Sequence, residues 1–463
     1  MPLEAPLRIR FLVVGGGIAG LASAIALARV GHEVAVLEKD DGQSNSGHHG
    51  IRIPPNMTKI LSNWGLKPQL QDVGLVSRIL LFSRLENEEL LGTQVWDYEV
   101  LKEMRGEFLL TTHAELHRIL SDAAVAHGVN IRYDAQVVSI DPDLGQVRLA
   151  SGDTLSADVI IGADGETGIS RDVLVGQHDR GTPVGMSVIH TTIATKEMPD
   201  AIRQANVIFA GFGNGCGAAA WPIHQRKEVA LEFILRDPAT EGTWGDAPCT
   251  DLSALVPSPC DPRVRLVADS ATNAVRTVIK DYSPLESWVH DSARFVVIGQ
   301  AAHAFPAIAV QAVAMAVEDA AVLGKLFCHL SSRDQISSFL WAFQDIRQKR
   351  CATLHQVELG YIWFMTLQDG PHQQARDEGL KERYRAGKNV MSAEDGEEET
   401  PQWRDVRATF DYDCEDHADD WWVQWGLLRE RAKSPEASQA RDLVFTWSNM
   451  GVAVDQSTDA KRE

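Results

Sequence analysis

A glycine-rich segment near the N-terminus contains the residues whose types and spacing indicate chemistry most directly. Gly15, Gly17 and Gly20 form the pattern G-x-G-x-x-G between an apolar run and a segment with helical spacing, and Glu38 ends the next apolar run. In a βαβ unit the first glycine makes the turn, the second admits a pyrophosphate and the third allows close helix–strand packing. The acidic residue accepts hydrogen bonds from ribose hydroxyls, and the helix N-terminus attracts phosphate. These residues predict a Rossmann-type dinucleotide site.

The composition argues against several classes of function. The chain has a formal net charge of −20, which gives no electrostatic footprint for nucleic acid or anionic lipid. Apart from the glycine-interrupted N-terminal segment, no stretch approaches the roughly 20 apolar residues needed to span a bilayer. The six cysteines form no C-x-x-C pair, which favours reduced thiols over disulfides or zinc ligands. We expect a soluble cytoplasmic protein with no metal, no nucleic-acid partner and no membrane anchor; the sequence does not indicate its oligomeric state.

The elements that must position the dinucleotide site alternate between strand and helix. Residues 9–14 and the segment EVAVLEK are apolar runs typical of buried strands, and LASAIALARVGH between them has helical spacing. From about 181 to 283 the pattern changes to strand-rich segments such as EVALEFIL, which indicates a separate sheet. RFVVIG then returns to a buried parallel-type strand, residues 312–330 form an apolar helix, and the remainder is mainly helical. The sequence predicts an α/β protein with a Rossmann-like domain and a second sheet.

Longer motifs extend this interpretation, because they resemble those of a known family. GGGIAGLASAIALARVGHEVAVLEK, ADVIIGADGETGISR with Asp164, and GQAAHAFPAIAVQAVAMAVEDA from residue 299 are similar to motifs of the class A flavoprotein monooxygenases. These are the para-hydroxybenzoate and salicylate hydroxylase-like proteins common in fungal secondary metabolism, and the resemblance runs along nearly the whole chain. It implies an FAD cofactor that is reduced by NAD(P)H. The reduced FAD then reacts with oxygen, and the resulting hydroperoxide hydroxylates or epoxidises a substrate above the flavin ring.

The resemblance also implies how the domains are arranged. A Rossmann-like FAD-binding domain is expected to be interleaved with a substrate-covering β-sheet domain and followed by a helical C-terminal region. The expected boundaries are 1–75, 111–180 and 286–335 for the FAD-binding domain, 76–110 and 181–285 for the substrate-covering domain, and 336–463 for the helical region.

The chain departs from the family where the resemblance places contacts with the flavin. Gln300 stands where the family has an aspartate that bonds the ribityl and pyrophosphate region, so a neutral amide replaces a charged acceptor. Val310 and Ala312 replace two glycines whose bare backbone passes the flavin ring, and His113 replaces an arginine that contacts FAD. The further departures are His48, His49 and Thr167. Two interpretations follow. Either FAD still binds in an altered pose, or the pocket remains but flavin chemistry has been lost, with the need for NAD(P)H and even the binding of FAD itself.

The substrate cavity between the two sheets is the second candidate site. The resemblance implies a lining of His48, His49, Arg52, Trp221, Phe305 and Pro306. The histidine pair could act as general acid and base, or polarise a carbonyl, near neutral pH. Because ligand pockets are mostly apolar with a few placed polar groups, the expected partner is a hydrophobic small-molecule metabolite.

Three functions of different classes are compatible with these observations. The first is a redox-neutral cyclase, pericyclase or isomerase that holds a metabolite in a reactive conformation, because a near-attack geometry by itself lowers the barrier. The second is an FAD- and NAD(P)H-dependent hydroxylase or epoxidase of an aromatic or polyene metabolite. The third is a binding protein without catalytic activity. The joint change at Gln300, Val310, Ala312 and His113 favours the first.

Overall fold

We describe the fold from a computed structural model. It describes residues 4–42, 49–96, 98–197, 206–243, 251–389 and 401–428. Residues 1–418 form one compact unit, and residues 419–463 form a second unit. Of the second unit, residues 419–428 are described, and they are helical.

The strands and helices follow the order that the sequence predicts. The strands are β1 (Arg10–Val14), β2 (Glu33–Leu37), β3 (Gly50–Ile53), β4 (Leu75–Val76), β5 (Ile79–Arg84), β6 (Leu90–Val95), β7 (Leu109–Thr112), β8 (Asn130–Arg132), β9 (Val137–Asp141), β10 (Gln146–Leu149), β11 (Thr154–Ser156), β12 (Val159–Gly162), β13 (Thr182–Ala194), β14 (Val207–Gly213), β15 (Cys216–Ile223), β16 (Glu228–Arg236), β17 (Val275–Asp281) and β18 (Phe295–Val297). The helices are α1 (Ile18–Arg29), α2 (Pro55–Asn63), α3 (Lys67–Val73), α4 (Tyr98–Glu103), α5 (His113–Ala126), α6 (Ile169–Val175), α7 (Leu252–Leu255), α8 (Pro262–Ser270), α9 (Gln311–Phe327), α10 (Gln335–Met365), α11 (Pro371–Arg385), α12 (Pro401–Phe410) and α13 (Cys414–Trp421).

A five-stranded parallel sheet forms the nucleotide-binding part of the fold, as predicted. Its strand order is β18-β12-β1-β2-β8, so β1 lies at the centre with β2 on one side and β12 on the other. The apolar run Phe11–Val14 is buried in this sheet. Because the carboxyl ends of parallel strands meet at one edge, the turns that follow β1, β2 and β12 lie side by side. This edge positions Gly15, Glu38 and Asp164 together.

A seven-stranded mixed sheet forms the second layer, in the order β17-β13-β16-β15-β14-β5-β6. Strands β5 and β6 come from residues 79–95, whereas the other five come from residues 182–281. Two separate stretches of the chain therefore contribute strands to this sheet, and part of the Rossmann-like fold lies between them in the sequence. The interleaved α/β fold class is confirmed.

A small antiparallel sheet, β3-β7-β4, joins the two large sheets. Gly50 at the start of β3 lies against the seven-stranded sheet, where a Cβ atom would come within 2.3 Å of the Ala230 side chain and 2.9 Å of the Trp221 ring. This close approach brings Arg52, two residues further along β3, over the middle of the large sheet.

The helices that follow β18 complete the core. Helix α9 packs against α1, and Gly324 allows close contact because a Cβ there would lie 3.1 Å from the carbonyl oxygen of Ala26. The 31-residue helix α10 packs against α9, and Arg347 on α10 is fully buried between Glu318 and Asp319. Among the described residues, no helix is both long and apolar enough to cross a membrane.

Candidate functional site

A cavity of about 590 Å³ lies at the carboxyl edge of the parallel sheet and extends to the seven-stranded sheet. This volume falls within the range of small-molecule sites, roughly 300–1,000 Å³. Its walls include most of the residues that the sequence analysis singled out, namely Gly15, Gly17, Glu38, His49, Arg52, His113, Asp164, Gln300, Val310 and Ala312. One end of the cavity is formed by the dinucleotide turn, and the other is formed by the start of α9 and by Arg52 and Glu232.

The dinucleotide turn has the geometry that phosphate binding requires. Gly15 has φ 102°, and a Cβ atom there would lie 2.5 Å from the carbonyl oxygen of Ala163, so only glycine fits. Gly17 begins α1 with open space around it, which leaves room for a pyrophosphate against the helix N-terminus. The Glu38 carboxylate accepts a hydrogen bond of 2.6 Å from the amide of Gly16 and stands in the cavity wall.

Asp164 provides a buried acceptor beside this turn. Its Oδ2 accepts a hydrogen bond of 3.1 Å from the amide of Ser170, whereas its Oδ1 has no hydrogen-bond partner among the described residues. Burial raises the pKa of this carboxyl above its ordinary value. A buried acceptor without a donor is costly, and a hydroxyl-bearing ligand in the cavity would satisfy it. Gly17, Glu38 and Asp164 therefore fit the nucleotide part of FAD.

Gln300 uses its side chain within its own loop. Its Nε2 donates to the carbonyl oxygen of Phe305 at 3.1 Å, and its Oε1 accepts from the amide of Phe305 at 2.8 Å. Both ends of the amide are therefore engaged in closing the loop. Phe305 and Pro306 are buried beneath this closure and are absent from the cavity wall.

The N-terminus of α9 is bonded to a carboxylate from another helix. The amide of Gln311 donates to Oε1 of Glu358 at 2.8 Å, and the backbone of Val310 also hydrogen-bonds to this carboxyl. Burial raises the pKa of Glu358 to about 7, and these backbone hydrogen bonds oppose the shift. The Val310 and Ala312 side chains line the cavity at the same place.

These features decide how well a flavin ring fits this end of the cavity. The resemblance places the ring against bare backbone at positions 310 and 312, with free amides aimed at its carbonyl oxygens. Here the ring would meet two side chains, and the amides at the start of α9 already hold Glu358. The residues at this end do not fit the isoalloxazine ring in the pose that the resemblance implies, although the nucleotide end fits.

A buried ion pair between Arg52 and Glu232 faces the cavity from the seven-stranded sheet. Arg52 was predicted as a site residue from the sequence, whereas Glu232 was not. Glu232 in the middle of β16 is 5% exposed, and its Oε2 lies 2.6 Å from Nη2 of Arg52. Burial raises the pKa of Glu232 to about 7, and Arg52 opposes this shift. Arg52 Nη2 also donates to the carbonyl oxygen of Ile308 at 2.8 Å. The signal was present in the sequence, because Glu232 is the one charged residue in the apolar run VALEFIL, and a buried carboxylate needs a partner.

Trp221 lies behind this ion pair rather than in the cavity wall. Its ring is 1% exposed and packs under the Arg52 guanidinium, whose central carbon lies 4.7 Å from the ring centroid. The contact is a cation–π interaction that holds the arginine in place. Trp221 thus lies behind two residues of the cavity wall, Arg52 and Gly50.

Three histidines lie on this side of the cavity, and one of them, His190, has its Nδ1 3.8 Å from Oε1 of Glu232. His49 and His113 line the cavity, and the His190 ring lies 5.4 Å from that of His49. Burial, followed by repulsion from His117 and His49, lowers the pKa of His113 to about 4. Burial also lowers the pKa of His190 well below its ordinary value, so both rings are neutral at physiological pH. His48 and the segment around it lie outside the described residues.

His303, Asp319 and Cys351 place potential metal-ligand atoms within 4.8 Å of one another. His303 Nε2 is 2.6 Å from Asp319 Oδ2, and Arg347 Nε is 2.8 Å from Oδ1 of the same carboxylate. The Asp319 charge is therefore already matched by two cationic side chains. We interpret this group as an ion-pair cluster that fixes the start of the loop at Gly299, whose amide also donates to Asp319.

Comparison with known proteins agrees with the fold and with the nucleotide end of the cavity. Residues 8–356 match the family described as the FAD binding domain. The FAD-dependent monooxygenase OpS4 of Beauveria bassiana is 27% identical over 390 residues, covering 82% of this chain and 90% of that protein. The 3-hydroxybenzoate 6-hydroxylase of Klebsiella oxytoca is 29% identical over 353 residues, covering 75% of this chain and 86% of that protein.

Solved structures share the architecture at lower sequence identity. The structure of CtdE in complex with FAD and a substrate has a TM-score of 0.74 at 19% identity, and covers 91% of this chain and all of that one. The structure of Klebsiella pneumoniae HpxO with FAD and uric acid has a TM-score of 0.71 at 21% identity, and covers 83% of this chain and 96% of that one. At these identities the likeness shows the fold alone. The family match over most of the chain, together with the intact dinucleotide turn, shows that the chain belongs to the class A FAD-dependent monooxygenase family.

Proposed function

We propose that this protein is a biosynthetic enzyme that catalyses a redox-neutral cyclisation or isomerisation of a hydrophobic metabolite on a flavin-monooxygenase scaffold. The bond between the α9 amides and Glu358 carries this proposal, because it occupies the donors that the resemblance assigns to the flavin ring. When Glu358 is ionised, its carboxylate also disfavours an anionic reduced flavin through like-charge repulsion. The side chains of Val310 and Ala312 occupy the same end of the cavity.

The cavity supplies what such a reaction needs. Its volume suits one small metabolite, and its walls combine apolar side chains with a few polar groups, among them Arg52, Glu232 and His49. Holding a flexible substrate in one reactive conformation lowers the barrier of a cyclisation, because the near-attack geometry is formed before the reaction begins. Gly17, Glu38 and Asp164 would hold the nucleotide part of FAD when it is bound, and no step of the proposed reaction uses its redox chemistry.

The direct test is whether the purified protein consumes NAD(P)H. We expect the protein to show no NADH or NADPH oxidation above background, with or without added FAD and with aromatic or polyene metabolites present. Oxygen uptake is recorded in the same samples, and an established flavin hydroxylase serves as the positive control. Steady NAD(P)H oxidation coupled to insertion of oxygen into a metabolite would refute the proposal.

A second candidate function is an FAD- and NAD(P)H-dependent hydroxylase or epoxidase. The observation that favours it is the intact nucleotide end, where Gly17 is open and Asp164 Oδ1 has no partner among the described residues. The relatives are named as monooxygenases and hydroxylases, which agrees with this alternative. The visible absorption spectrum separates the two, since a hydroxylase purified with near-stoichiometric FAD is yellow and is bleached by NAD(P)H.

A further inference from the structure

Glu232 is the titratable group of the cavity that no family motif explains. It stands in the cavity wall together with its partner Arg52, and the two are joined by the 2.6 Å contact described above. We propose that Glu232 is the general base and acid of this site, and that the substrate is an enolisable carbonyl compound. The inference rests on the proposed redox-neutral function and adds to it a residue and a substrate class.

The fold holds the Glu232 carboxyl in a fixed position. Strand β16 is flanked by β13 and β15, and the residues paired with Glu232 across these strands are His190 and Ala219. His190 Nδ1 lies 3.8 Å from Glu232 Oε1, and Ala219 on the other side is buried in the core. A carboxyl on the central strands of a sheet is positioned more rigidly than one on a loop, which favours proton transfer at a defined atom.

The charges around Glu232 support a role in moving protons near neutral pH. It faces Arg52 from β3, His190 from β13 and Glu358 from α10, and the ring of His49, which precedes β3, lies beside that of His190. Glu358 and burial favour the protonated form, whereas Arg52 favours the carboxylate. These opposing effects leave the pKa of Glu232 at about 7, where a carboxyl both accepts and returns a proton efficiently.

The proposed step balances without a co-reactant. The Glu232 carboxylate takes a proton from a carbon next to a carbonyl group, and the electron pair of the broken C–H bond forms an enolate. Within the described residues Arg52 Nη1 has no hydrogen-bond acceptor, so it can donate to the enolate oxygen. The Glu232 carboxylic acid then returns the proton to a different carbon of the same molecule. The product is an isomer of the substrate, and neither oxidant nor reductant is required.

Solvent isotope exchange tests this step without knowledge of the natural substrate. The purified protein is incubated in D₂O with each of three probes, namely 2-tetralone, cyclohexanone and acetophenone, and loss of the α-proton signal is followed by NMR. We expect the wild-type protein to accelerate exchange of at least one probe, with a rate that rises with pH and levels above about 7. Glu232→Gln should slow this exchange about 100-fold or more, the usual contribution of a general base. Its amide oxygen still accepts from Arg52, so the ion-pair partner is not left without an acceptor.

The control is Glu228→Gln on the same strand. Glu228 contacts His224, its side chain is 38% exposed, and it lies outside the cavity wall. This variant should exchange the probe like the wild type, and circular dichroism should show that both variants are folded. Glu232→Asp, which withdraws the carboxyl by one methylene, should retain a small part of the activity and the same pH dependence.

The outcomes separate this inference from the proposed function. Wild-type exchange no faster than buffer with all three probes, or exchange that persists in folded Glu232→Gln, overturns the role of Glu232. If the protein oxidises NAD(P)H, the redox-neutral function fails, but loss of exchange in Glu232→Gln would still identify the base. If the protein does not oxidise NAD(P)H and Glu232→Gln exchanges normally, the proposed function stands and Glu232 is excluded.

Discussion

Burial favours the uncharged form of the ionisable side chains in and beside the cavity. His113 and His190 are held neutral, while burial raises the pKa values of Glu232 and Glu358 to about 7. In the ion-pair cluster the charged forms are favoured despite burial. Cys351 and Asp319 raise the pKa of His303 to about 10, and His303 and Arg347 lower the pKa of Asp319 to about 2. At neutral pH the cavity therefore contains carboxyls poised to titrate, whereas the cluster beneath the loop is fully charged.

The raised pKa of Glu358 predicts a pH-dependent stability. The ordinary glutamate pKa is 4.5, and in the folded protein it is about 7. Between these values the folded state binds more protons than the unfolded state, so the contribution of Glu358 to stability falls as pH rises through this window and then levels. Glu358→Gln removes the titration and keeps an acceptor for the Gln311 amide. The wild type should lose stability between about pH 5 and about pH 8, and Glu358→Gln should not lose this part. The free energy of unfolding of the variant, relative to that of the wild type, should therefore rise by about 2 kcal/mol over this range.

Urea unfolding at these two pH values measures the effect. Glu382→Gln on the exposed face of α11 is the control, and its free energy of unfolding should follow that of the wild type at both pH values. A difference between Glu358→Gln and wild type that does not change with pH would show that Glu358 is not the titrating group.

At the scale of elements, the two glycines that begin α1 have separable roles. A Cβ atom at Gly20 would lie 1.9 Å from the carbonyl oxygen of Gly15, whereas one at Gly17 would meet no atom within 4 Å. Gly20→Ala should therefore push α1 away from the turn and lower the free energy of unfolding by about 3 kcal/mol, the upper part of the usual range. Gly17→Ala should leave stability nearly unchanged, because its φ of −72° suits alanine.

The two substitutions also distinguish an effect on stability from an effect on nucleotide affinity. A methyl group at Gly17 occupies the space where a pyrophosphate approaches the backbone, so Gly17→Ala should weaken binding of ADP and of FAD about tenfold or more. Calorimetric titration with each nucleotide measures this, and urea unfolding of the free protein measures stability. Equal nucleotide affinity in wild type and folded Gly17→Ala would show that this turn binds no nucleotide.

Local pattern predicted the elements well, because the spacing of apolar residues determines how a strand or helix buries one face. The βαβ start, the second sheet and the helix after residue 311 all follow the sequence, and the helix begins at Gln311 instead of at the expected Ala312. The partners inside the cavity could not be predicted in this way. Arg52 and Glu232 are 180 residues apart, and Glu358 reaches the amide of Gln311 from a different helix. Such pairs depend on tertiary packing, which a periodic pattern does not encode.

The position of Trp221 shows the same limit. In β15 nearly every residue is buried, because the strand lies in the middle of a covered sheet. Strand alternation therefore gives no indication of which side chains face the cavity and which face the core. The resemblance favoured a cavity-facing Trp221, and the structure places the ring one layer behind, under Arg52.

At the scale of the whole molecule, the cavity is assembled from parts of the fold that can change independently. The edge of the parallel sheet supplies the nucleotide end, the seven-stranded sheet supplies Glu232, and α9 with α10 supplies the Glu358 contact. Among the described residues, no hydrogen bond joins the start of α9 to the dinucleotide turn, and the close contact between α9 and α1 at Gly324 and Ala26 lies far from both. A scaffold built in this way can lose one function of a cofactor site while the rest of its fold and cavity persists.

Because the α9 end can change separately, we expect that substitutions there can restore binding of the flavin ring. Combining Gln300→Asp, Val310→Gly and Ala312→Gly with Glu358→Gln removes the two side chains, frees the amides at the start of α9 and supplies a charged acceptor. We expect the dissociation constant of FAD, measured by quenching of flavin fluorescence, to fall about tenfold or more, because tenfold needs only about 1.4 kcal/mol. The new glycines weaken the start of the helix by about 1 kcal/mol each, so circular dichroism must show a folded protein.

The triple variant that keeps Glu358 is the matched control, and it should gain less FAD affinity than the quadruple variant because its α9 amides still hold the carboxylate. Equal gains in the two variants would assign the barrier to the side chains alone. If neither variant binds FAD more tightly than the wild type, the α9 end is not what sets FAD affinity. If the wild type in that case already binds FAD tightly, its cavity accommodates the flavin as it stands, and the hydroxylase becomes the better account of this protein.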